Sequence, residues 1–404
     1  MAEFLRLVPE RLKKIAGSSD SDVEQAADYP VNRLAAEIHP GTQNLRIAKV
    51  CTLSADTKLY TLIPDPESGT ASLAPFAPGQ YISVRVEKDG RILSRPYSLA
   101  SSPEEAAGNG KGDGVYEIAV RRIPSGEVSG HIHENWEIGT RVTVSEPMGE
   151  FTYERLRDAG CVVGIAGGVG ITPFRSHIRS ILRGGESFRL ILLYGVRKEE
   201  DIIFGSELEE AAKSGMIRVV YVYSDEKKTG CESGFITPGL IRRYAPDSEY
   251  SVFACGPSSM YRFLEAELPA LGLRRKYVRY DAKGQIMEPR GEPDYTPADG
   301  SEYSITVRRN GDGKTVKCHP DETVMSAIER GGIAVPSGCR SGECGYCHSR
   351  LVSGRCYIPA SRDGRRQADK IYGYIHPCVS YPRSDLVIEV PPVPAGPSVR
   401  GDTE

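Results

Sequence analysis

Three cysteines in a short glycine-rich stretch constrain this chain more than any other feature. Cys339, Cys344 and Cys347 lie in CRSGECGYC, with four residues between the first two and two residues between the last two. A fourth cysteine, Cys378, follows thirty residues later in HPCVSYP. The spacing C-x4-C-x2-C…C is typical of a plant-type [2Fe–2S] site, in which four thiolates hold two irons. We therefore predict that these four cysteines are metal ligands.

Glycines between and beside the cysteines agree with a tightly curled loop. Gly338, Gly342 and Gly345 allow positive φ and leave backbone N–H groups free to point at sulfur. A structural zinc site and a loop with free buried thiols are the alternatives. Zinc ribbons usually carry two C-x2-C knuckles, whereas only one is present here. Cys356 is then a spare thiol that behaves as a small buried apolar residue.

Length and composition set broad limits on the fold. The 404 residues, 39% hydrophobic and 26% charged, predict a globular chain with two to four domains. The net charge of −3 gives no case for a nucleic-acid partner. No apolar run reaches the ~20 residues that a membrane span requires, and MAEFLRLVPERLKKIAG lacks the features of a secretory signal. Ten scattered cysteines favour a reducing compartment, so we expect a cytoplasmic protein.

Changes in composition divide the chain into six segments. We predict an N-terminal helical extension (1–42), a β-rich domain (43–155), an α/β domain (156–283), a linker (284–300), a cysteine-containing domain (301–392) and a tail (393–404). A helix packed on its own domain is favoured for the extension over a membrane-surface helix, because Pro9 interrupts its apolar face.

The three central domains differ in their hydrophobic patterns. Six β-rich runs in 43–155 predict a small antiparallel β-barrel, with one helix that begins at Ser129 as N-cap. Alternating strands and helices in 156–283 predict a doubly wound parallel sheet. In 301–392 a hairpin that turns at Asn310-Gly311 precedes a helix, TVMSAIERGG, that ends at Gly331.

Two short motifs in the barrel are candidates for flavin binding. In Arg95-Pro96-Tyr97-Ser98, a guanidinium can pair with phosphate, a ring can cover an isoalloxazine and a hydroxyl can bond its reactive edge. The second motif, Ser125-Gly126-Glu127-Val128-Ser129, brings Gly126, Val128 and Ser129 to a helix start, where phosphate is attracted. Each motif also has a plain structural interpretation: the first as the end of a strand and the second as a helix N-cap.

Two motifs in the α/β domain are candidates for nucleotide binding. The loop Gly167-Gly168-Val169-Gly170-Ile171-Thr172-Pro173 follows a strand and opens a helix, the usual context for a pyrophosphate loop, although it is not G-x-G-x-x-G. Cys255-Gly256-Pro257 ends a later strand at the same edge of the sheet. A tight turn without ligand and a buried apolar cysteine are the alternatives.

The residues after the strand IRVVYVY bear on the choice of nucleotide. Ser224 is followed by Asp225 and Glu226, which suit a ribose diol and repel a 2′-phosphate, and then by Lys227 and Lys228, which accept one. We expect NADH, with NADPH as the alternative.

The order of these motifs resembles the ferredoxin–NADP⁺ reductase superfamily over residues 43–283, and with residues 301–392 added the chain resembles the phthalate dioxygenase reductase class. The resemblance implies a multidomain fold: an antiparallel β-barrel flavin domain, an α/β doubly wound NAD(P)-binding domain and an α+β (β-grasp) ferredoxin-like domain. It assigns Arg95, Pro96, Tyr97, Ser98, Gly126, Val128 and Ser129 to flavin, Gly167, Gly168, Gly170, Thr172, Pro173, Ser224, Cys255, Gly256 and Pro257 to NAD(P)H, and the four cysteines to iron. That class carries FMN, but GEVS resembles the phosphate loop of FAD-containing relatives, so we expect FAD.

These cofactors imply electron transfer from NAD(P)H to a partner protein. NAD(P)H gives up a hydride and a plant-type cluster accepts single electrons, so a flavin must lie between them. Ser98, Thr172 and Cys255 are the candidate catalytic residues, which hold the two rings face to face. We expect a one-electron acceptor such as an oxygenase component. A subunit of a larger redox complex and a redox sensor with little turnover are the alternatives.

Overall fold

The structure is a computed structural model that describes residues 31, 34, 35, 39–108, 113–124, 126–286, 288–309 and 312–391. The apolar face expected near the N-terminus, Ser125, the Asn310-Gly311 turn and the tail 393–404 lie outside the described residues. Residues 1–41 and 42–404 form two units, and the second contains all the domains discussed below. None of the described helices has the length and apolar character needed to cross a membrane.

The first domain of this unit is the predicted antiparallel barrel. Its strands are β1 (Gln43–Thr52), β2 (Thr57–Pro64), β3 (Tyr81–Lys88), β4 (Arg91–Ser98), β5 (Tyr116–Arg121) and β6 (Arg141–Val144), in the order β4-β3-β6-β1-β2-β5. A bridge between Leu99 and Ile118 joins the two edges of the sheet. Side chains such as Tyr60 and Val84 fill the interior with no exposed surface, as the alternation along the strands predicts. Two helices, α1 (Pro103–Ala107) and α2 (Glu127–Asn135), lie between the strands.

The predicted N-cap of α2, Ser129, is wrong by three residues. The helix begins at Glu127, and Gly126 takes the N-cap position with an extended backbone. The Ser129 hydroxyl therefore lies inside the first turn, where it accepts the Ile123 N–H at 3.1 Å. A serine hydroxyl can satisfy a neighbouring turn as well as a helix start, and sequence alone does not distinguish the two.

The second domain is the predicted doubly wound sheet, with every strand pair parallel. Its strands are β7 (Cys161–Gly167), β8 (Arg189–Val196), β9 (Ile217–Tyr223), β10 (Glu232–Ser233), β11 (Ser251–Cys255) and β12 (Val278–Tyr280), and its helices are α3 (Thr172–Leu182), α4 (Gly205–Ala212), α5 (Pro238–Tyr244) and α6 (Ser258–Glu267). The order β10-β9-β8-β7-β11-β12 reverses direction between β7 and β11. Ligands of such sheets bind at the carboxyl ends of the strands at this switch point.

The third domain is built on a mixed sheet with an α+β arrangement. It contains β13 (Tyr303–Arg309), β14 (Asp312–Cys318), α7 (Val324–Arg330), β15 (Ser349–Ser353), β16 (Cys356–Tyr357), α8 (Gln367–Ile371), β17 (Tyr374–Ile375), β18 (Tyr381–Pro382) and β19 (Leu386–Glu389). The sheet order is β14-β13-β19-β15-β17, and β16 and β18 form a separate pair. Helix α7 ends before Gly331, as predicted, and buries Val324, Ala327 and Ile328.

The segment 284–300, predicted as a linker, is attached to the third domain. Tyr381 donates a hydrogen bond to the Ile286 carbonyl at 2.8 Å. Tyr357 donates to Asp294 Oδ1 at 3.1 Å. Tyr381 and Tyr357 both belong to the third domain. Residues 284–300 are therefore bound to that domain, although their polar and proline-rich composition is typical of a flexible linker.

Candidate functional site

A cavity of about 1080 Å³ lies between the barrel and the parallel sheet. The end of β4 contributes Pro96, Tyr97 and Ser98 to its wall, and the switch point of the parallel sheet contributes Thr172 and Cys255. The remaining predicted residues on this wall are Gly126, Ser129, Gly167, Gly170, Gly256 and Pro257. Ser98 and Thr172, which are 74 positions apart in the sequence, therefore share one cavity.

A second cavity of about 510 Å³ continues from the first along the carboxyl edge of the sheet. Gly167 and Pro257 line both cavities, whereas Gly168 and Ser224 line only the second. The two volumes form a groove that runs from the barrel to the end of β9. An elongated ligand with a phosphate-bearing middle fits such a groove, because the glycine-rich loop lies where the cavities meet.

Ser98 and Cys255 are joined by a residue that sequence analysis missed. Ser98 Oγ donates a hydrogen bond to Asp281 Oδ2 at 2.9 Å, and Cys255 Sγ donates to the same oxygen at 3.3 Å. Asp281 follows β12 directly and lies on the wall of the first cavity. A carboxylate at the carboxyl end of a parallel strand was the available signal, since that edge is where such sheets bind ligands.

Burial determines the protonation of Asp281 and Cys255. Burial raises the pKa of Asp281, although the Ala282 N–H and the Ser98 hydroxyl partly offset the effect. Burial, together with the nearby Asp281 carboxylate, raises the pKa of the Cys255 thiol well above its ordinary value. Cys255 is therefore a neutral thiol that donates a hydrogen bond, rather than a thiolate nucleophile.

The glycine-rich loop packs directly on the turn after β11. A Cβ atom on Gly170 would lie 2.2 Å from the Cys255 carbonyl oxygen, so the two backbones touch at this point. The loop continues as a short 3₁₀ turn, Gly168–Ile171, and Thr172 opens α3 with its hydroxyl donating to the Val169 carbonyl at 3.0 Å. Glycine at position 170 is thus a requirement of close packing.

Three predicted cofactor-binding side chains do not line either cavity. Val128 is 2% exposed and belongs to the hydrophobic core of the barrel, because it faces inward on α2. Pro173 is buried in the first turn of α3. Arg95 Nη1 lies 3.6 Å from Glu329 Oε2, so the buried carboxylate of the third domain attracts this guanidinium away from the cavity.

The end of β9 carries charges that are already paired. Ser224 donates to Asp225 Oδ1 at 2.6 Å, and Arg197 Nε lies 3.2 Å from Asp225 Oδ2. These two bonds, the serine first, hold the pKa of Asp225 below its ordinary value. Lys228 forms an ion pair with Glu199. An ionised aspartate beside cations that already have ion-pair partners favours a ribose diol over a 2′-phosphate.

The four cysteines form two pairs. The N–H of Cys339 points at Cys344 Sγ at 3.4 Å, and the N–H of Cys344 points at Cys339 Sγ at 3.3 Å. Cys347 Sγ and Cys378 Sγ are 3.4 Å apart, and both residues are buried. No three His, Cys, Asp or Glu side chains within the described ranges converge as a single-metal site requires. Two thiolate pairs with backbone N–H groups aimed at sulfur fit a two-iron cluster better than zinc.

The loop that carries the first three cysteines is held in an unusual conformation. Gly342 and Gly345 have positive φ, as predicted, and Arg340 also has φ of 56°. A bidentate ion pair between Arg340 and Glu329, with distances of 2.6 and 2.9 Å, fixes this residue although it is 2% exposed. Gly338 has ordinary φ, and a Cβ there would meet Met148 Sδ at 2.9 Å.

The cysteine loop contacts the barrel beside the first cavity. Ser337 Oγ and Ser94 Oγ are 2.5 Å apart, and Ser94 lies two residues before Pro96 on β4. Tyr346 donates to Glu146 Oε1 at 2.8 Å. The strand that forms one wall of the cavity is therefore also the strand against which the cysteine loop packs.

Three family models match the chain in succession. They are an oxidoreductase FAD-binding domain at residues 44–153, an oxidoreductase NAD-binding domain at 165–266 and a 2Fe-2S iron-sulfur cluster binding domain at 307–383. Their order is the order of the barrel, the parallel sheet and the cysteine-containing domain.

Several known proteins are similar over most of the chain. The 3-ketosteroid-9-alpha-monooxygenase ferredoxin reductase component of Mycobacterium tuberculosis is 30% identical over 352 residues, 85% of this chain and 94% of the relative. The glycine betaine monooxygenase reductase subunit of Chromohalobacter salexigens is 27% identical over 365 residues, 86% and 95% of the two chains. The solved structure of phthalate dioxygenase reductase superposes with a TM-score of 0.62 at 24% identity and covers 87% of this chain and 98% of that one.

Proposed function

We propose residue roles and a partner class for this chain, which belongs to the family of oxygenase reductases that join an FAD-binding, an NAD-binding and a [2Fe–2S] domain. The chain is an NAD(P)H-dependent oxidoreductase that passes electrons from NAD(P)H through a flavin to the cluster and on to a partner protein. Its cofactors are FAD, NADH and a [2Fe–2S] cluster. The domain boundaries proposed above, 43–155, 156–283 and 301–392, enclose the three matched regions.

The roles proposed at the junction of the first two domains follow from the shared cavity. Tyr97 and Ser98 hold the flavin ring from the barrel side, and Thr172 and Cys255 hold the nicotinamide from the sheet side. Asp281 orients both Ser98 and Cys255 because it accepts a hydrogen bond from each. When bound, the flavin supplies the conversion between a two-electron hydride and single electrons. The residues of the chain contribute position and the exclusion of water rather than acid–base chemistry.

The roles proposed for the nucleotide groove extend from the switch point to β9. The Gly167–Gly170 loop and the Cys255–Pro257 turn bind the pyrophosphate and nicotinamide ends, and Ser224 with Asp225 binds the adenosine ribose. The paired state of Arg197 and Lys228 supports NADH as the preferred nucleotide. Gly126 and Ser129 contact the flavin phosphates from the first turn of α2.

The four cysteines are proposed as the cluster ligands, one pair for each iron. A Cβ at Gly338 would lie close both to Met148, which follows the barrel strand β6, and to Cys344 Sγ, so the pair Cys339 and Cys344 is the proposed entry side for electrons from the flavin. Cys347 and Cys378 form the second pair, deeper in the third domain.

The proposed partner is the oxygenase component of a multicomponent monooxygenase. Relatives of nearly the same length carry names of this kind, which supports the class but does not select a substrate. We also propose a cytoplasmic location, supported by ten cysteines of which none forms a disulfide in the structure. Cell fractionation with an antibody against the chain tests the location.

The observation that carries the proposal is the shared Asp281 carboxylate, which joins one residue from each of two domains at a single cavity. The test is anaerobic mixing of purified holoprotein with NADH. The flavin absorption band should bleach first, and the cluster absorption should then fall. A cluster that is reduced while the flavin remains oxidised would contradict the proposed order.

A further inference from the structure

Three arginines form a row along one face of α3 and its C-cap position, which Arg183 occupies. Arg175, Arg179 and Arg183 are spaced four residues apart, so they lie one above another on the helix surface. The row begins three residues after Thr172, the residue that opens the helix at the cavity. Helix α3 therefore carries a cavity residue at its start and the arginine row along its length.

The first two arginines reach carboxylates of both domains. Arg175 Nη1 donates to Glu117 Oε2 at 2.7 Å, and Arg179 Nη1 donates to the same oxygen at 3.0 Å. Glu117 belongs to β5 of the barrel. The Nε atoms of the same two arginines donate to Glu207 of α4, in the parallel sheet domain, at 2.9 and 2.6 Å. Each guanidinium thus bridges the two domains.

The row continues to α1 of the barrel. Arg179 Nη1 lies 2.9 Å from Glu105 Oε1, and Arg183 Nη2 lies 3.0 Å from the same atom. Arg183 also donates to Ser102 Oγ at 2.9 Å. The three cations of the row therefore meet three carboxylates, Glu105 and Glu117 from the barrel and Glu207 from α4, so the charges balance.

Burial distinguishes this network from ordinary surface ion pairs. The Arg175 side chain is 4% exposed and that of Glu117 is 15% exposed. Exposed pairs contribute little, whereas loss of one partner from a buried pair leaves an uncompensated charge. Burial raises the pKa of Glu207, but hydrogen bonds and charge from Arg179 and Arg175 outweigh it and hold the pKa below its usual range.

The innermost contact lies next to both walls of the cavity. Arg175 Nη1 donates to the Ala100 carbonyl at 2.9 Å. Ala100 lies two residues after Ser98, and Arg175 lies three residues after Thr172. This hydrogen bond thus links the segment after β4, which is proposed to face the flavin, to the first turn of α3, which is proposed to face the nicotinamide.

We propose that the Arg175–Arg179–Arg183 row is a positioning device that holds the parallel sheet domain against the barrel and thereby sets the separation between Ser98 and the pair Thr172 and Cys255. This inference rests on the roles proposed for those three residues. The arginines touch no cofactor and act only through the segments that do. Small displacements of reacting groups reduce rates strongly, so the network acts on turnover more than on binding.

The central test is Glu117→Gln, which keeps the shape of the side chain and removes the charge shared by Arg175 and Arg179. We expect flavin reduction at saturating NADH to slow by about ten-fold, which is less than the effect of moving the reacting groups by about an ångström. Binding of ADP-ribose, whose proposed contacts lie in the parallel sheet domain, should change less than about two-fold, as expected when only the near-attack geometry is altered. The matched control is Arg243→Gln, which removes an exposed ion pair to Glu232 within the parallel sheet domain and should leave both values unchanged.

A second measurement does not depend on turnover. Hydrogen exchange should be faster in α1 and in the first turns of α3 of the Glu117→Gln protein, with β11 unchanged. If that variant does not fold, Arg183→Gln at the outermost and more exposed position should give a smaller effect in the same direction. Arg179→Lys should give an intermediate rate, because it retains the charge but loses the forked geometry.

The outcomes separate the possible failures. A folded Glu117→Gln protein with the wild-type reduction rate would overturn the inference. Equal losses of reduction rate and ADP-ribose binding would also overturn it, because they indicate a general structural role. A wild-type protein that does not reduce its flavin with NADH would instead refute the proposed function.

Discussion

Ser98, at the end of a barrel strand, donates a 2.9 Å hydrogen bond to Asp281, at the end of the last strand of the parallel sheet. The two residues are 183 positions apart in sequence and belong to different domains. Cys255 donates to the same carboxylate oxygen, so one buried group orients a hydroxyl and a thiol on opposite walls of the cavity. The junction of the two domains is therefore where the site is assembled.

Replacement of Asp281 by Asn should slow flavin reduction by NADH about 10- to 100-fold, because an amide has one acceptor oxygen and its NH₂ group would face either the Ala282 N–H or the Ser98 and Cys255 donors. Stopped-flow bleaching of the flavin measures the rate. Electron transfer from chemically reduced flavin to the cluster should be unaffected. A reduction rate within two-fold of wild type would show that Asp281 does not orient the reacting groups.

Replacement of Cys378 by Ser should abolish electron delivery to acceptors that require the cluster, such as cytochrome c, while flavin reduction by NADH continues. The hydroxyl is a poor ligand for iron compared with a thiolate. Cys356→Ser is the matched control, since Cys356 lies in the same domain outside the two cysteine pairs. Simultaneous loss of both activities in the Cys378 variant would contradict the order flavin before cluster.

The preference for NADH should weaken when the charges at the end of β9 are released. The double substitution Asp225→Ser and Glu199→Gln removes the carboxylates paired with Arg197 and Lys228. We expect the ratio of kcat/KM for NADPH to that for NADH to rise at least about ten-fold, because the freed cations can meet a 2′-phosphate. Asp247→Asn, an exposed substitution just before β11 at the opposite edge of the sheet, is the control. An unchanged ratio would exclude this region from nucleotide selection.

Gly170→Ala should weaken NADH binding and destabilise the domain by about 1–3 kcal/mol, because the added Cβ would lie 2.2 Å from a backbone oxygen that cannot rotate away. Gly160→Ala is the control, since a Cβ there meets nothing within 4 Å. Titration of the flavin protein with NADH and thermal unfolding measure the two effects. Wild-type behaviour of the Gly170 variant would show that the loop and the turn after β11 are not in contact.

Acid should weaken the boundary between the barrel and the parallel sheet. Burial raises the pKa of Glu105, but bonds from the Ser102 N–H and from Arg179 outweigh it, so its folded-state pKa, like that of Glu207, lies below the ordinary value. A lowered pKa contributes stability that is fully present above the unfolded value of about 4.3 and is lost as the pH falls through the folded value.

Arg179→Gln should accordingly move the midpoint of acid unfolding to higher pH, as followed by circular dichroism between pH 6 and 2. Lys213→Gln, which removes an exposed pair with Glu210, should leave the midpoint unchanged. An Arg179 variant with the wild-type midpoint would show that these carboxylates do not depend on the arginine.

The sequence was sufficient for features carried by local pattern. The three-domain fold and the [2Fe–2S] cofactor were predicted from the hydrophobic patterns, the order of the motifs and the spacing of the cysteines, and the sheets and the matched domains confirm both. The individual site residues stay predictions. The side-chain positions that sequence analysis did not foresee depend on contacts that the local sequence does not specify. Arg95 turns toward Glu329 because a different domain brings a carboxylate beside it.

Val128 and Asp281 show the same limit of sequence analysis. Val128 was predicted as a cofactor-binding residue but faces the core, whereas Asp281 was not predicted but lies at the cavity. Val128 lies in a phosphate-loop motif, but its side chain faces the barrel core because α2 begins at Glu127. Asp281 lies in no recognised motif, yet it meets two candidate residues because β12 pairs with β11 at the switch point. Register and the first residue of a helix decide such cases, and both are weakly encoded in local sequence.

The attachment of residues 284–300 to the third domain has a practical consequence for chimeras. Tyr381 and Tyr357 hold Ile286 and Asp294, so a transplanted iron-sulfur module that began at residue 301 would leave both tyrosine hydroxyls without acceptors. Grafts between reductases of this architecture should be joined near residue 283, where the last strand of the parallel sheet has ended. The best junction for such a graft thus precedes residues 284–300, although the composition of these residues is that of a linker.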